Sequence, residues 1–153
     1  MSSVEQSIEV EVPVRTAYDQ WTQFESFPEF MDGVEEIRQL TDTRLHWKTR
    51  IAGISREFDA EITEQTPDQR IAWRSVDGPS QAGVVSFHRV AEGTTKVMLQ
   101  LDFDPEGLVE TVGDKLGLVE GRVKGDLERF KEFIEARGTE TGAWRGEVDQ
   151  DPT

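Results

Sequence analysis

The sequence predicts an α+β domain in which an antiparallel sheet is covered on one face by a long C-terminal helix. Between residues 44 and 76 apolar and polar residues alternate with period two, which separates the two faces of successive strands. Between Pro105 and Arg137 apolar residues instead recur every three or four positions, as on one side of an amphipathic helix. The sheet is therefore apolar on one face only, and the helix supplies the cover for that face.

The N-terminal segment predicts the first strand and a short helix. Apolar residues alternate with polar ones from Val4 to Val12, and Pro13 ends this strand. From Val14 to Trp21 the apolar spacing becomes three and four residues, which indicates a helix. The polar side of this helix carries Arg15, Asp19 and Gln20.

A second short helix is expected from Ser26 through Met31. Ser26 and Glu29 have the spacing of a capping box, in which the serine caps the helix and the glutamate is its third residue. Pro28 is tolerated in the first turn because no helical hydrogen bond is lost there.

The turns determine which residues pair across the central strands. A two-residue turn at residues 52–53 places Trp47 opposite Phe58 on the apolar face and Lys48 opposite Glu57 on the charged face. A shift of one residue would mix the two faces, so this register is strongly specified.

A second turn, at residues 67–68, extends the meander. It places Ile62 opposite Trp73 on the apolar face and Glu61 opposite Arg74 on the charged face. The strands predicted at residues 34–40, 83–90 and 95–103 bring the antiparallel sheet to about seven strands.

The long helix contains glycines at four-residue intervals, Gly113, Gly117, Gly121 and Gly125. One stripe of the helix therefore lacks side chains. Two uses of such a stripe are open. It permits close packing or kinking of the helix, or it leaves room for a ligand between the helix and the sheet.

We expect one folded domain over residues 1–138, with Gly138 ending the long helix. Residues 139–153 are polar and acidic without periodicity, which predicts a flexible tail. Docking of Trp144 onto the domain is the alternative.

The composition argues against several classes of function. A formal net charge of −14 without a basic cluster disfavours nucleic-acid binding and adhesion to anionic membranes. The absence of cysteine and the presence of only two separate histidines predict no metal site. No nucleotide-binding glycine loop follows a predicted strand, so no cofactor is expected. With neither a membrane-length apolar run nor a signal peptide, we expect a cytoplasmic protein without stable membrane insertion.

The order of one strand, two short helices, six strands and a long helix resembles the helix-grip fold of the START/Bet v 1-like (SRPBCC) superfamily, over Ser2 to Arg137. Specific segments resemble its polyketide cyclase/dehydrase branch, namely Tyr18 to Val34 with its aromatic-Pro-aromatic sequence, His46-Trp47, and Ser55 to Asp59. That branch mixes aromatic polyketide cyclases, quinone-binding proteins and members without a settled reaction. The fold therefore does not decide the function.

The resemblance implies a cavity between sheet and helix that holds an apolar, often polycyclic, ligand. Strand parity places aromatic residues on the inward face, and the resemblance places the second short helix at the cavity mouth. The predicted ligand-binding residues are Phe30, Met31, Trp47, Phe58, Trp73, Phe87, Leu116 and Gly117. An ordinary filled core is the alternative for each inward aromatic residue.

Arg56 is the predicted catalytic residue. Strand parity puts it on the apolar face, opposite Thr49, where a guanidinium must reach an anion, a polar ligand or solvent. Reaching solvent from the strand end is the alternative to a ligand contact. The resembling aromatase/cyclases carry an arginine near this strand position, some of them two in tandem, which implies a role in polarising a ligand carbonyl.

The leading hypothesis is a protein, monomeric or homodimeric, that binds a hydrophobic small molecule. If it is an enzyme, the resemblance implies a cofactor-independent polyketide cyclase/dehydratase that orients a flexible substrate and excludes water. A carrier or chaperone of a quinone-like lipid and a small interaction protein with a filled core are the rival hypotheses.

Overall fold

The computed structural model describes residues 2–51, 54–77, 81–103 and 115–148. These form a seven-stranded antiparallel sheet in the order β1-β7-β6-β5-β4-β3-β2. The strands are β1 (Ser2–Val10), β2 (Val34–Gln39), β3 (Arg44–Ile51), β4 (Ile54–Thr66), β5 (Arg70–Ser75), β6 (Gln81–Ala91) and β7 (Thr94–Phe103). The helices are α1 (Val14–Trp21), a 3-10 helix (Phe24–Glu29) and α2 (Lys115–Arg137). This is the helix-grip α+β architecture that the sequence predicts.

The predicted register of the central strands is confirmed. Trp47 pairs with Phe58 and Lys48 with Glu57 between β3 and β4. Ile62 pairs with Trp73 between β4 and β5. The inward aromatic residues are buried, so one face of the sheet forms the core as the alternation predicts.

The connection between β4 and β5 differs from the prediction. It spans three residues, 67–69, with Asp68 at a φ of 63°, and a β-bulge lies in β4 between Ile62 and Glu64. The bulge inserts Thr63 as an unpaired residue, which offsets the extra turn residue. The predicted pairs beyond the bulge therefore form although the predicted two-residue turn is wrong.

The second short helix is a 3-10 helix over Phe24–Glu29, and the predicted capping box at Ser26 does not form. The Ser26 hydroxyl donates a hydrogen bond to the carbonyl of Gln23 at 2.7 Å and accepts one from the Gln20 side chain at 3.1 Å. Ser26 therefore lies inside the helical turn and does not cap a new helix.

Helix α2 packs its apolar stripe on the sheet. The buried residues of this stripe are Val119, Val123, Leu127, Phe130 and Ile134. The helix ends at Arg137, and Gly138 has a φ of 73° and donates its N–H to the carbonyl of Ile134, which confirms the predicted glycine stop. The start predicted at Pro105 lies outside the described residues.

An aromatic cluster fills the core where α1 and the 3-10 helix meet α2. The Trp21 ring lies 5.1 Å from Phe27 and 5.3 Å from Phe130, measured between ring centroids. Phe30 lies 5.2 Å from Phe130. Edge-to-face contacts of Trp21 with Phe27 and of Phe30 with Phe130, and a tilted contact of Trp21 with Phe130, pack this part of the core.

Two glycines of the predicted stripe, Gly121 and Gly125, neither pack closely on the sheet nor line the cavity described below. A Cβ added to Gly121 would meet no atom within 4 Å, and one added to Gly125 would meet the guanidinium of Arg129 at 3.2 Å. Neither glycine brings the helix backbone against the sheet or borders a cavity. Gly113 lies outside the described residues, and the surroundings of Gly117 are not described.

Residues 139–148, the first part of the predicted flexible tail, are docked on the domain. Thr141 and the Gln20 side chain exchange two hydrogen bonds, at 2.9 and 3.1 Å. The backbone N–H of Trp144 donates to the Thr22 hydroxyl at 3.1 Å, and Val148 forms an antiparallel bridge with Gln65 on β4. The tail docks because its polar groups satisfy polar groups that the domain would otherwise leave buried and unpaired.

Candidate ligand-binding site

A partly enclosed cavity of about 100 Å³ lies between the sheet and the first described turns of α2. Its apolar lining comes from Met31, Val34, Trp47, Phe58, Trp73, Leu99, Leu101, Val119 and Val123. Its polar lining comes from Asp32, Thr49, Gln81, Arg122 and Asp126. Apolar walls with a few polar groups are the usual make-up of a small-molecule site.

Three aromatic rings form one wall of the cavity. Trp47 and Phe58 are nearly parallel, with ring centroids 6.0 Å apart and an interplanar angle of 8°. Trp47 and Trp73 lie 6.5 Å apart at 23°. The strand register contributes to this arrangement, because Trp47 pairs with Phe58 and Trp73 pairs with Ile62, the second inward position after Phe58 on β4. Such a wall suits a flat ligand.

The position of Trp73 depends on a glycine in the neighbouring strand. Gly83 on β6 pairs with Trp73, and a Cβ at Gly83 would lie 2.5 Å from Cζ2 of the indole. The ring therefore occupies the space above the bare backbone of Gly83. Only glycine permits such a close approach here.

The polar end of the cavity joins α2 to the segment after the 3-10 helix. Nη1 of Arg122 donates to the carbonyl oxygen of Asp32 at 2.8 Å, and Oδ1 of Asp126 accepts from the Asp32 N–H at 3.0 Å. Nε of Arg129 donates to the carbonyl of Phe30 at 3.1 Å. Both backbone polar groups of Asp32 are thus held by side chains of one helix.

Asp126 is mostly buried, with 13 % of its side chain exposed. Burial raises its pKa to about 6, although the guanidinium of Arg129 at 2.5 Å and the Asp32 N–H both favour the ionised form. A carboxyl group in this state gains or loses a proton close to neutral pH. It is therefore the group on the cavity wall whose charge responds to mild changes of pH.

Two residues that line the cavity each have a buried side-chain N–H that makes no hydrogen bond within the described residues. They are Nε1 of Trp47 and Nε of Arg122. Trp47 as a whole is 8 % exposed, so bulk water does not satisfy its indole N–H. Unpaired buried donors are rare in folded proteins.

The structure brings together four of the predicted ligand-binding residues, Met31, Trp47, Phe58 and Trp73. Phe30 packs in the aromatic cluster of the core, and Phe87 packs edge-on against Tyr18 at 5.5 Å; neither lines the cavity. Leu116 and Gly117 lie in the first turn of α2, where the side-chain surroundings are not described. Their predicted role stays a prediction.

Arg56 lies where strand parity predicts, opposite Thr49 and half-buried. Thr49 lines the cavity, whereas Arg56 is outside the described lining. The arginine on the cavity wall is Arg122, which the sequence analysis does not identify. A sequence signal exists, since Arg122 and Asp126 each follow a buried valine of α2 by three residues and so flank its apolar stripe.

A larger groove, of about 660 Å³, lies on the opposite face of the sheet beside Ala72, Ala82 and Val84. It is open to solvent, so a ligand there would remain largely hydrated. Its carboxylate Glu61 is already near Arg44 and Arg74, at 3.9 and 3.7 Å. The smaller cavity under α2 is therefore the better candidate for a hydrophobic ligand.

The curved sheet, the long helix packed against it and the cavity between them define a START-like helix-grip protein. Residues 10–132 match the family described as "Polyketide cyclase / dehydrase and lipid transport". The chain belongs to this family.

Relatives with known sequences or structures agree with this assignment. An uncharacterised 17.2 kDa protein of Streptomyces lincolnensis is 65 % identical over 149 residues, which cover 97 % of this chain and 99 % of the relative. An aromatase/cyclase from a Streptomyces species has a TM-score of 0.75 at 16 % identity, over 94 % of this chain and 99 % of the other. A START superfamily protein from Mycobacterium smegmatis has a TM-score of 0.69 at 18 % identity, over 88 % and 95 %. At these identities the two structures show the shared fold.

No helix among the described residues is both long and apolar enough to cross a membrane.

Proposed function

We propose that this protein binds a hydrophobic, planar small molecule in the cavity between α2 and the sheet. The observation that carries the proposal is the aromatic wall of Trp47, Phe58 and Trp73 facing a polar end built from Arg122 and Asp126. The apolar wall supplies affinity through area burial, and the polar end selects and orients the ligand.

The size of the cavity limits the ligand. Ligand pockets usually measure roughly 300–1,000 Å³, and an apolar cavity of about 150 Å³ is known to hold benzene. A cavity of about 100 Å³ is therefore at the scale of one ring. A polycyclic ligand requires the cavity to widen. We expect the wall to move at Asp32, because side chains of α2 hold the backbone there by two hydrogen bonds.

A catalytic form of this function is a cyclisation or dehydration without a cofactor. Arg122 places a positive charge near a ligand oxygen, and Asp126, with a pKa of about 6, is suited to accept or donate a proton. The aromatase/cyclase that shares the fold supports this form. Arg56 remains a candidate for the same reaction only if an opened cavity extends along β4.

A carrier function is the second candidate, and the lipid transport named in the family description supports it. A carrier needs the apolar wall and a route for exchange, but no proton transfer. The enzyme and the carrier differ in their need for Asp126, because only the enzyme uses this residue to transfer a proton.

Native mass spectrometry of the protein purified from the organism that encodes it, followed by denaturing extraction, tests the proposal. We expect a retained aromatic or conjugated small molecule. A retained compound that the protein converts on incubation supports the enzyme, and one exchanged unchanged supports the carrier. A protein that is empty and binds none of a panel of one-, two- and three-ring aromatic compounds would contradict the proposal.

A further inference from the structure

The docked tail, residues 139–148, lies in a site that the domain builds largely from buried polar residues. Asp19 and Gln20 on α1, Thr22 just after it and Gln65 on β4 are all buried. Asp68, in the turn between β4 and β5, completes the site. Polar groups buried this deeply require hydrogen-bond partners, and the tail supplies several of them. These five residues form the tail-binding site.

The backbone of the tail makes part of the contact with α1. The N–H of Thr141 donates to Oε1 of Gln20 at 2.9 Å, and the backbone N–H of Trp144 donates to the Thr22 hydroxyl at 3.1 Å. Every residue except proline carries a backbone N–H. Segments of other sequences can therefore make the same two bonds.

The end of the described tail extends the sheet at an open part of β4. Strands β3 and β4 pair only as far as Arg44 and Glu61. Further along β4, Gln65 and Val148 exchange two backbone hydrogen bonds, at 2.8 and 3.0 Å. Addition of an extended segment to a strand edge is a general mode of peptide recognition.

Arg145 gives the site a requirement for one side chain. Its Nη1 lies 2.5 Å from Oδ1 of Asp19, and its Nη2 lies 2.8 Å from Oδ2 of Asp68. One guanidinium thus bridges two carboxylates that belong to different elements. The planar fork of an arginine suits this arrangement, whereas the ammonium group of a lysine is a compact point charge.

The tail is an imperfect occupant in its charge. Besides Arg145 it carries Glu140 and Glu147, in a chain with a net charge of −14. Burial raises the pKa of Asp19, Arg145 lowers it, and the negative charge of Glu140 raises it again. Glu140 therefore repels the carboxylate that Arg145 binds. A segment with the same arginine and no acidic neighbours would avoid this repulsion.

From these contacts we propose that the tail-binding site is an interaction site for an extended, arginine-bearing segment of a basic partner protein, and that the tail occupies it when the partner is absent. The partner's arginine bridges Asp19 and Asp68, and its backbone takes the bonds to Gln20, Thr22 and Gln65. This interaction does not involve the cavity under α2. Its success or failure is therefore independent of the ligand-binding function.

Three peptides of residues 139–148 test the proposal. The first carries Glu140→Lys and Glu147→Lys, so both negative charges become positive. The second adds Arg145→Lys to these changes, which keeps the net charge and removes the guanidinium. The third has the unchanged sequence. All three are acetylated and amidated, so that their ends carry no charge.

Hydrogen exchange in the ¹⁵N-labelled parent protein reports which segment occupies the site. A bound peptide replaces the tail, so the Val148 N–H should lose protection, whereas the Gln65 N–H should stay protected because the peptide pairs with it. Unfolding would expose both amides, and non-specific binding would expose neither. The tail competes at an effective concentration on the order of millimolar, so displacement by the first peptide is expected at roughly that concentration or below.

We expect the Arg145→Lys peptide to bind at least about tenfold more weakly than the first peptide, as the loss of a charged hydrogen bond provides. The unchanged peptide should bind at least about threefold more weakly, because it keeps both glutamates. A chain with Arg145→Ala should bind the first peptide more tightly than the parent does, since its own tail is a weaker competitor. The measurement on the parent decides the matter if that variant does not fold.

Equal binding of the arginine and lysine peptides would overturn the proposal, because it would show attraction by charge alone. Continued protection of the Val148 N–H at saturating peptide would also overturn it. Equal binding of the unchanged peptide would overturn the basic partner and assign the site to the tail of a second copy of this chain.

Discussion

Arg145 binds the buried carboxylate of Asp19, with Nη1 2.5 Å from Oδ1, although the two residues are 126 positions apart. Asp19 is 1 % exposed, and burial raises its pKa despite the guanidinium. Arg145 also binds Asp68 at 2.8 Å and lies over the ring of Tyr18. One tail residue thus joins α1 to the turn between β4 and β5.

Replacing Arg145 with Ala should destabilise the protein by about 2–4 kcal/mol. The loss is large because it leaves a carboxylate buried without its main partner. It stays near or below the roughly 3–5 kcal/mol that breaking a fully buried ion pair costs, because Arg145 is partly exposed. Urea unfolding measures the change. Arg15→Ala is the matched control, because Arg15 contacts the same carboxylate at 3.7 Å but is 68 % exposed, and it should cost under about 1 kcal/mol. Equal losses in the two variants would show that Arg145 stabilises the buried carboxylate no more than the exposed Arg15 does.

Asp126 should make the protein more stable in mild acid than at neutral pH. Its pKa is raised to about 6 in the folded state, so the folded protein binds this proton more strongly than the unfolded chain. The contribution is fully present below about pH 4, the ordinary aspartate value, and is lost as pH rises through 6. Relative to Asp126→Asn, the parent should lose roughly 1–3 kcal/mol of unfolding free energy between pH 4 and 7.

Urea unfolding at several pH values checks this slope. Glu92→Gln, which changes an exposed carboxylate, gives the baseline for the removal of one negative charge. If the unfolding free energies of the parent and of Asp126→Asn changed in parallel with pH, the raised pKa of Asp126 would be contradicted.

His46, on the outer face of the sheet, should also make the protein more stable in mild acid than at higher pH. Its Nδ1 lies 2.7 Å from Asp59 and its Nε2 lies 3.0 Å from Glu57, and these hydrogen bonds raise its pKa. The stabilisation is complete below the ordinary histidine pKa of about 6.5 and is lost as pH rises through the higher folded value. His46→Gln should therefore cost more stability at pH 5.5 than at pH 8, by about 0.3–1 kcal/mol.

The exposed His88, whose Nε2 lies 3.1 Å from the Ser86 hydroxyl, is the control for His46. His88→Gln shows the effect of removing an exposed imidazole that is hydrogen-bonded to a hydroxyl and not to a carboxylate. An NMR titration of the two imidazole rings measures the pKa of His46 directly, and a value at or below the ordinary one would refute the assignment.

Two glycine-to-alanine exchanges should have opposite effects on stability. Gly83→Ala places a methyl group against the Trp73 indole and should cost about 1–3 kcal/mol through overpacking, while weakening the binding of single-ring aromatic compounds at the same wall. Gly121→Ala adds a methyl group in open space on a helix and should add up to about 1 kcal/mol without changing ligand affinity. Thermal unfolding and equilibrium dialysis check both. If Gly121→Ala also weakened binding, the cavity would extend beyond the lining described above.

Arg122→Gln should weaken the binding of an oxygen-bearing aromatic compound more than Arg56→Gln does. Arg122 lines the cavity and has a buried unpaired Nε, whereas Arg56 lies outside the described lining. A charged hydrogen bond contributes roughly 1.5–3 kcal/mol, so a loss of at least tenfold in affinity is expected for Arg122→Gln. A larger loss for Arg56→Gln would restore the arginine chosen from the sequence.

The strand register could be predicted because two independent patterns agree on it. Alternation assigns each residue to a face, and the turn positions set the partners, so Trp47 and Phe58 meet in only one way. The burial of Asp19 and Gln20 could not be predicted. It results from residues 141–145, more than a hundred positions away, and nothing in the local sequence of α1 distinguishes a polar side that faces solvent from one that a polar segment covers.

An apolar cavity between the sheet and the helix was predicted, but only its aromatic wall was identified and its polar end was missed. Inward parity finds the rings of Trp47, Phe58 and Trp73, but it cannot find Arg122 and Asp126, whose role depends on where the Asp32 segment meets α2. The glycine pattern left close packing and a ligand cavity open as uses of the stripe, and neither use holds for the two glycines that the structure describes. The described Gly121 and Gly125 lie away from the cavity, and the spacing of glycines alone does not show which side of a helix faces the sheet.

The bulge at Thr63 also marks where this fold can change in length. Elsewhere in β4 the loss of one residue would turn every following side chain from the core to solvent. Loss of Thr63 would instead leave Ile62 opposite Trp73 and Gln65 opposite Ile71, in an uninterrupted ladder. Insertions and deletions among relatives should therefore collect at this position, where chain length can vary by one while the inside and outside of the domain stay the same.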